Sequence, residues 1–209
     1  MLRRHFIQAV LGAGLLAACG KNSKLPQVAA GKTVLAFGDS VTYGTGAGPG
    51  EDWPSLLAIA SGWRMINAGV PGDTAEAAGG RIQELLETHR PALVILELGG
   101  NDFLRRRPQK SVKENLRQLI KAIRLSGAAL VLVAVPELSL LSVVARQPSD
   151  APIYAELAKE EQVPLISAVF ADILARPELC ADQIHPNAQG YVQMAAGFER
   201  QLKKIGLLG

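Results

Sequence analysis

The chain has 209 residues, 48% of them hydrophobic and 20% charged, which suits one compact domain with a full-sized core. Its formal charge of +3 leans on Arg3 and Arg4; without residues 1–18 the balance is 20 basic against 19 acidic side chains, which gives no electrostatic case for binding nucleic acid. With two cysteines, and no His-Glu-x-x-His, dinucleotide fingerprint or Walker loop, a disulfide framework and a zinc site are disfavoured, and the chemistry is expected to need no metal and no cofactor.

Met1-Leu2-Arg3-Arg4-His5 precedes an uncharged stretch from Phe6 to Ala18 that ends Leu16-Ala17-Ala18-Cys19-Gly20. A charged start, a short apolar middle and a small-residue end describe an export signal. At 13 residues the apolar stretch is short for a spanning helix, which needs about 20. Leu-Ala-Ala-Cys is similar to a bacterial lipoprotein box, in which Cys19 would be acylated and become the mature N-terminus; the alternatives are a plain signal peptide or a buried thiol. Arg3-Arg4 also resembles a twin-arginine export motif, so the route is open. The expected organisation is a signal peptide at 1–18, a lipidated N-terminus and tether at 19–31, and one folded domain at 32–209. Gly20 rather than aspartate after the cysteine favours, by analogy, the outer membrane facing the periplasm.

Beyond the tether, apolar runs alternate with helical patterns. Strands are read at 34–37, 64–67, 92–98, 130–135 and 163–166. Helices are read at 53–61, 74–88, 112–126, 154–161 and 188–205. Strand–helix alternation implies an α/β fold with a parallel sheet covered on both faces. Active residues then belong at the carboxyl ends of the strands, near a topological switch point.

Three blocks sit at such strand ends. Gly38-Asp39-Ser40 closes the first run, Asn67-Ala68-Gly69-Val70-Pro71-Gly72-Asp73-Thr74 follows the second, and Gly99-Gly100-Asn101-Asp102 follows the third. A fourth block, Asp182-Gln183-Ile184-His185-Pro186, precedes the last helix. A serine on the turn leaving a buried strand is held stiffly with its hydroxyl exposed. A histidine three residues after an aspartate can be oriented by that carboxylate within one loop. Ser40, His185 and Asp182 thus offer nucleophile, base and orienting acid for acyl transfer. Of the other two histidines, His5 falls in the export segment and His89 at the tail of a helical pattern, so His185 is the base by elimination. Asp182 can also be read as a solvent-facing turn residue.

The oxyanion that such chemistry creates needs donors aimed at it. Gly72 offers an unshielded backbone N–H, Asn101 a side-chain NH₂, and Ser40 its own N–H. Taken singly, Gly72 is a turn glycine and Asn101 an Asx-turn residue; their placement beside Ser40 favours the oxyanion reading. Asp39 can shape the serine turn by accepting from backbone N–H groups. Glu97, inside an apolar strand, reads as a paired structural carboxylate.

The four blocks, in this order, resemble the SGNH/GDSL hydrolase superfamily, most closely its thioesterase I/lysophospholipase L1 and arylesterase branch. Val41 stands where the GDSL name has leucine. The resemblance implies a three-layer α/β/α sandwich of flavodoxin-like type with a five-stranded parallel sheet. It implies a serine hydrolase acting on small-molecule or lipid acyl esters or thioesters, and a monomer is expected. A carbohydrate O-acetylesterase and a noncatalytic envelope lipoprotein are the rival readings. In that branch the loop after the asparagine block is associated with acyl-chain binding, which nominates Phe103 and Leu104 as substrate-binding. Arg105-Arg106-Arg107 reads either as part of that face or as a solvated basic turn. The apolar stretch at 138–144 reads as an acyl groove or a core helix.

Overall fold

The computed structural model describes residues 26–137 and 148–209. The export segment, Cys19 and the 138–144 stretch lie outside the described residues. Five parallel strands, β1 (Thr33–Gly38), β2 (Arg64–Gly69), β3 (Leu93–Glu97), β4 (Ala129–Val133) and β5 (Leu165–Ile166), form one sheet in the order β2-β1-β3-β4-β5. This is the α/β/α arrangement expected. The chain reverses its winding direction between β1 and β3, the switch point at which such sheets place their ligands.

Burial explains the strands. Every residue of β1 and β3 is buried, so their sequences Thr-Val-Leu-Ala-Phe-Gly and Leu-Val-Ile-Leu-Glu run apolar almost without alternation. Each fully buried Leu, Val or Phe contributes about 1.5–3 kcal/mol relative to exposure. The chain then continues through α1 (Ser40–Tyr43), α2 (Trp53–Ser61), α3 (Ala75–Ala78), α4 (Ile82–His89), α5 (Gly100–Leu104), α6 (Gln109–Leu125), α7 (Pro152–Glu161), α8 (Val169–Leu174) and α9 (Ala188–Ile205).

One helical layer is centred on α9, which packs against α2 and α8; the other on α6, which packs against α3, α4 and α7. Trp53 of α2 meets Phe198 of α9 edge-on, ring centroids 4.8 Å apart. Asp52 caps α2 by accepting from the Ser55 N–H at 2.9 Å, and Pro54 fits its first turn. On the outer face of α6 and α7, Lys113, Arg117 and Arg124 pair with Glu156, Glu160 and Glu161.

Two departures from the sequence reading matter for the site. The single helix expected at 74–88 is two, α3 and α4, because Gly79-Gly80 interrupts it. Glycine weakens a helix interior by about 1 kcal/mol each. Residues 100–104, for which no helix is expected, form the short helix α5.

Candidate active site

Ser40 is the first residue of α1 and directly follows the β1 end. Asp39 caps this turn: its Oδ1 accepts from the Val41 N–H at 3.0 Å. Thr42, fully buried, donates its hydroxyl to Glu97 Oε2 at 2.7 Å, fastening α1 to the end of β3. Glu97 is therefore a buried, paired carboxyl. Burial, reinforced by the charge of Asp39, pushes it well above the usual carboxylate range.

His185 reaches the serine from the far end of the sequence. Its Nε2 lies 2.9 Å from Ser40 Oγ, and its Nδ1 lies 2.7 Å from Asp182 Oδ2. With the Nδ1 proton given to Asp182, Nε2 accepts from the serine hydroxyl. Asp182 Oδ1 also accepts from the N–H groups of Ile184 and His185, each at 2.8 Å, which folds 182–185 into one rigid turn. Against the cost of partial burial, these bonds and the histidine hold Asp182 below the usual carboxylate range.

The ends of this loop are pinned as well. Ala181 N–H donates to His185 O at 2.9 Å, and Asn187 caps α9 by accepting from Gly190 N–H at 2.9 Å. The loop after α1 closes against it. A Cβ on Gly46, which sits at φ +100°, would come 2.4 Å from Pro186 O, so only glycine allows that approach. Tyr191 on α9 donates to Thr45 O at 2.8 Å, a second link between the serine and histidine loops.

Asn101 opens α5 at the carboxyl end of β3, and its Nδ2 donates to Asp39 Oδ2 at 3.1 Å. That bond uses one of the two amide hydrogens. Burial pushes Asp39 up to about 6; the Val41 N–H, the His185 charge and Asn101 pull it down, while Asp73 pushes it up. Gly72 lies in the exposed turn after β2 at φ +82°, a conformation glycine takes without strain. Its carbonyl accepts from Arg105 Nη2 at 3.0 Å.

A depression of about 20 Å³ opens at Ser40, lined by Val41, Asn101, Leu104, Phe170, Ile184 and His185 among others. Leu104 is 45% exposed and belongs to this lining. Phe103 departs from expectation: it is 7% exposed, packed in the core with its ring edge-on to Tyr154 at 6.3 Å. Successive residues of a helix point about 100° apart, and of this pair Phe103 is turned into the core while Leu104 faces out. The three arginines divide too. Arg107 pairs with Glu76, while Arg105 and Arg106 stay exposed. His89 is in the last turn of α4, before the amino end of β3 and so on the far side of the sheet from Ser40. Among the described residues no cluster of His, Cys, Asp and Glu is suited to a metal ion.

Sequence reasoning missed several supporting residues: Arg81, Tyr191 and the Asn101 side of Asp39.

Comparison with known proteins gives a consistent picture. A family model described as the GDSL-like Lipase/Acylhydrolase family matches residues 36–193. Thioesterase 1/protease 1/lysophospholipase L1 of Escherichia coli K12 is 32% identical over 184 residues, covering 86% of this chain and 87% of the relative. An arylesterase of Vibrio mimicus is also 32% identical, over 84% of this chain and 90% of its own. Among solved structures, the psychrotrophic esterase EstA from Pseudoalteromonas sp. superposes with a TM-score of 0.71 at 27% identity, over 83% of this chain and 97% of that one.

Proposed function

The chain belongs to the GDSL-like lipase/acylhydrolase family of SGNH-type esterases, and from that premise we propose that it hydrolyses acyl esters or thioesters through an acyl-enzyme on Ser40. The observation that carries the reading is the chain Ser40 Oγ–His185–Asp182, with spacings of 2.9 and 2.7 Å. Ser40 Oγ attacks the substrate carbonyl as His185 Nε2 takes its proton. Asp182 holds the imidazole in the tautomer that can accept and stabilises the imidazolium that forms. The tetrahedral oxyanion is met by the Ser40 N–H, the Gly72 N–H and the free hydrogen of the Asn101 amide. Collapse expels the alcohol or thiol, which leaves with the proton from His185. Water, deprotonated by the same nitrogen, then attacks the acyl-enzyme and releases the acid.

The substrate class we assign is a small-molecule or lipid acyl ester, of the aryl ester, lysophospholipid or acyl-CoA kind. The apolar lining from Val41, Leu104, Phe170 and Ile184 supports an acyl group at the depression. The exposed Arg105 and Arg106, which follow Leu104 of that lining in the chain, support an anionic leaving portion. The site of action we assign is the cell envelope, with Cys19 lipidated and the domain facing the periplasm. The basic start, the 13-residue apolar stretch and the Leu-Ala-Ala-Cys box support that placement.

A fluorophosphonate probe tests the core of the reading. The wild type is expected to label at one serine and to hydrolyse p-nitrophenyl butyrate, and Ser40→Ala to do neither. A wild-type protein that folds but does not label, or a Ser40→Ala protein that still does, would overturn it.

A further inference from the structure

We propose that Arg81 is a positioning residue for the esterase reaction: it fixes the turn that carries Gly72 against the strand end that carries Ser40. The inference rests on the reading of Gly72 as an oxyanion donor. Arg81 comes directly after the Gly79-Gly80 break and directly before α4. Its side chain runs toward the carboxyl edge of the sheet, with the guanidinium carbon 4.1 Å above the centre of the Phe37 ring.

Each guanidinium nitrogen has a different acceptor. Nε donates to Asp73 Oδ2 at 2.7 Å, Nη1 to Ala68 O at 2.8 Å, and Nη2 to Gly38 O at 2.9 Å. Gly38 precedes Asp39-Ser40 at the end of β1, Ala68 is near the end of β2, and Asp73 is the neighbour of Gly72. One rigid fork therefore joins the nucleophile strand, the adjacent strand and the glycine turn. Gly38 O also accepts from the Val70 N–H at 3.1 Å, so there the guanidinium fills the second acceptor site of a strand-end carbonyl.

The turn has only a few other fastenings. Val70 N–H donates to Gly38 O at 3.1 Å, Asp73 N–H to Val70 O at 3.1 Å, and Arg105 reaches Gly72 O from the α5 side. None of these joins the Asp73 end of the turn to β1. Arg81 does, and its ion pair with Asp73 is largely shielded, the two side chains being 23% and 13% exposed. The planar fork matters as much as the charge. A lysine ammonium at the end of a flexible stem has no such fork and cannot hold the same three acceptors in the same geometry.

The test uses the full chain and p-nitrophenyl butyrate, with Arg81→Lys, Arg81→Ala and Asp73→Asn compared with the wild type by steady-state kinetics and thermal melts. Arg81→Lys is expected to stay folded, to lower kcat roughly 10- to 100-fold, the scale of ångström-sized misplacement, and to keep KM within about threefold, as for an interaction that counts only in the transition state. Millimolar guanidinium chloride is expected to restore part of the kcat of Arg81→Ala and none of that of Arg81→Lys, with sodium chloride as the ionic control. If Arg81→Ala does not fold, the kcat of Arg81→Lys and Asp73→Asn decides the matter. Unchanged kcat in the folded variants, or a loss confined to KM, overturns the role of Arg81 while leaving the wild-type esterase reading intact. A wild type without Ser40-dependent hydrolysis overturns the esterase reading and this inference with it.

Discussion

Asp39 and Asn101, 62 residues apart in sequence, are joined by a 3.1 Å hydrogen bond from the amide to the carboxylate. The same carboxylate caps the helix that begins at Ser40, so one side chain orients both the turn of the proposed nucleophile and the proposed oxyanion donor. Burial raises Asp39 from its ordinary 3.8 to about 6. The sign follows directly. A carboxyl that binds its proton more tightly in the fold contributes stability below about pH 4, and this is lost as pH rises through about 6. The ionised form, which serves Asn101 best, is thus the less stable one. Asp39→Asn is expected to melt at a higher temperature relative to wild type at pH 7.5 than at pH 4.5. It should lose roughly 10-fold or more in kcat, because an amide at 39 has one acceptor oxygen for two donors, the Val41 N–H and the Asn101 amide, and meets the other donor to donor. An Asp39→Asn protein with full activity at pH 7.5 would remove the positioning role.

The catalytic chain makes graded demands on its members. Ser40→Ala and His185→Ala should each lower kcat about 10⁴- to 10⁶-fold, and Asp182→Ala about 10⁴-fold. Asn101→Ala should lower it about 10²- to 10³-fold, the size associated with one oxyanion donor. His89→Ala, across the sheet, should leave it unchanged. Steady-state kinetics on a p-nitrophenyl ester check all five, and an active His185→Ala beside an inactive His89→Ala would reverse the assignment of the base.

Glu97 supports the site from beneath. It is fully buried, takes the Thr42 hydroxyl at 2.7 Å, and leaves Oε1 without a hydrogen bond. Burial and then the Asp39 charge hold it well above the ordinary range. The protonated form is the one the fold favours, so its contribution is present at low pH and is lost as pH rises through the raised value. Glu97→Gln keeps the Thr42 contact without a charge to desolvate. It should therefore melt at or above the wild-type temperature at neutral pH. Glu97→Ala orphans the Thr42 hydroxyl and opens a cavity, costing about 2 kcal/mol or more. Equal destabilisation by the two variants in chemical denaturation would show that the charge itself is needed.

How much of this was legible in sequence depends on how local the signal is. β1 and β3 announce themselves as unbroken apolar runs because both faces are covered. The Ser40 turn and the Asp182–His185 loop are legible because strand end and three-residue spacing lie within one short segment. Arg81 was not legible: its acceptors Gly38 O and Ala68 O are backbone carbonyls, which every residue presents, and Gly38 lies 43 residues away. The Tyr191–Thr45 link spans 146 residues and ends on a carbonyl too. Phe103 was misplaced because proximity to the Asn101 block does not say which side of a one-turn helix faces inward.

The proposed envelope anchor stands apart from the folded domain and has its own test. Mature protein should partition into detergent and carry the mass of a lipidated Cys19. A single acyl chain binds membranes only marginally, so stable anchoring requires more than one. Among the described residues no helix is long and apolar enough to cross a bilayer. On the lipidation reading, Cys19→Ala should lose membrane association on fractionation; a variant that remained membrane-bound would end the case for lipidation.

Substrate preference follows from the space at Ser40 and the charge beside it. The depression at Ser40 has apolar walls at Val41, Leu104, Phe170 and Ile184 and opens to solvent. Each methylene buried there is worth up to about 0.8 kcal/mol, or roughly fourfold in kcat/KM. Efficiency should thus rise from acetyl to butyryl esters and continue to medium chains only as far as exposed Leu104 gives cover. Leu104→Ser should flatten the rise without changing the acetyl rate. Arg105 and Arg106, exposed and following Leu104 in the chain, add a second axis. Hydrolysis of an acyl-CoA or an anionic lysophospholipid should fall as ionic strength rises, while a neutral aryl ester stays nearly flat, because exposed charges are screened within about 10 Å at 0.1 M salt. Acetyl, butyryl, octanoyl and palmitoyl esters assayed at low and high salt with one preparation check both trends. A monotonic decline from acetyl onward, together with deacetylation of sugars, would replace the lipid-type substrate with a carbohydrate ester.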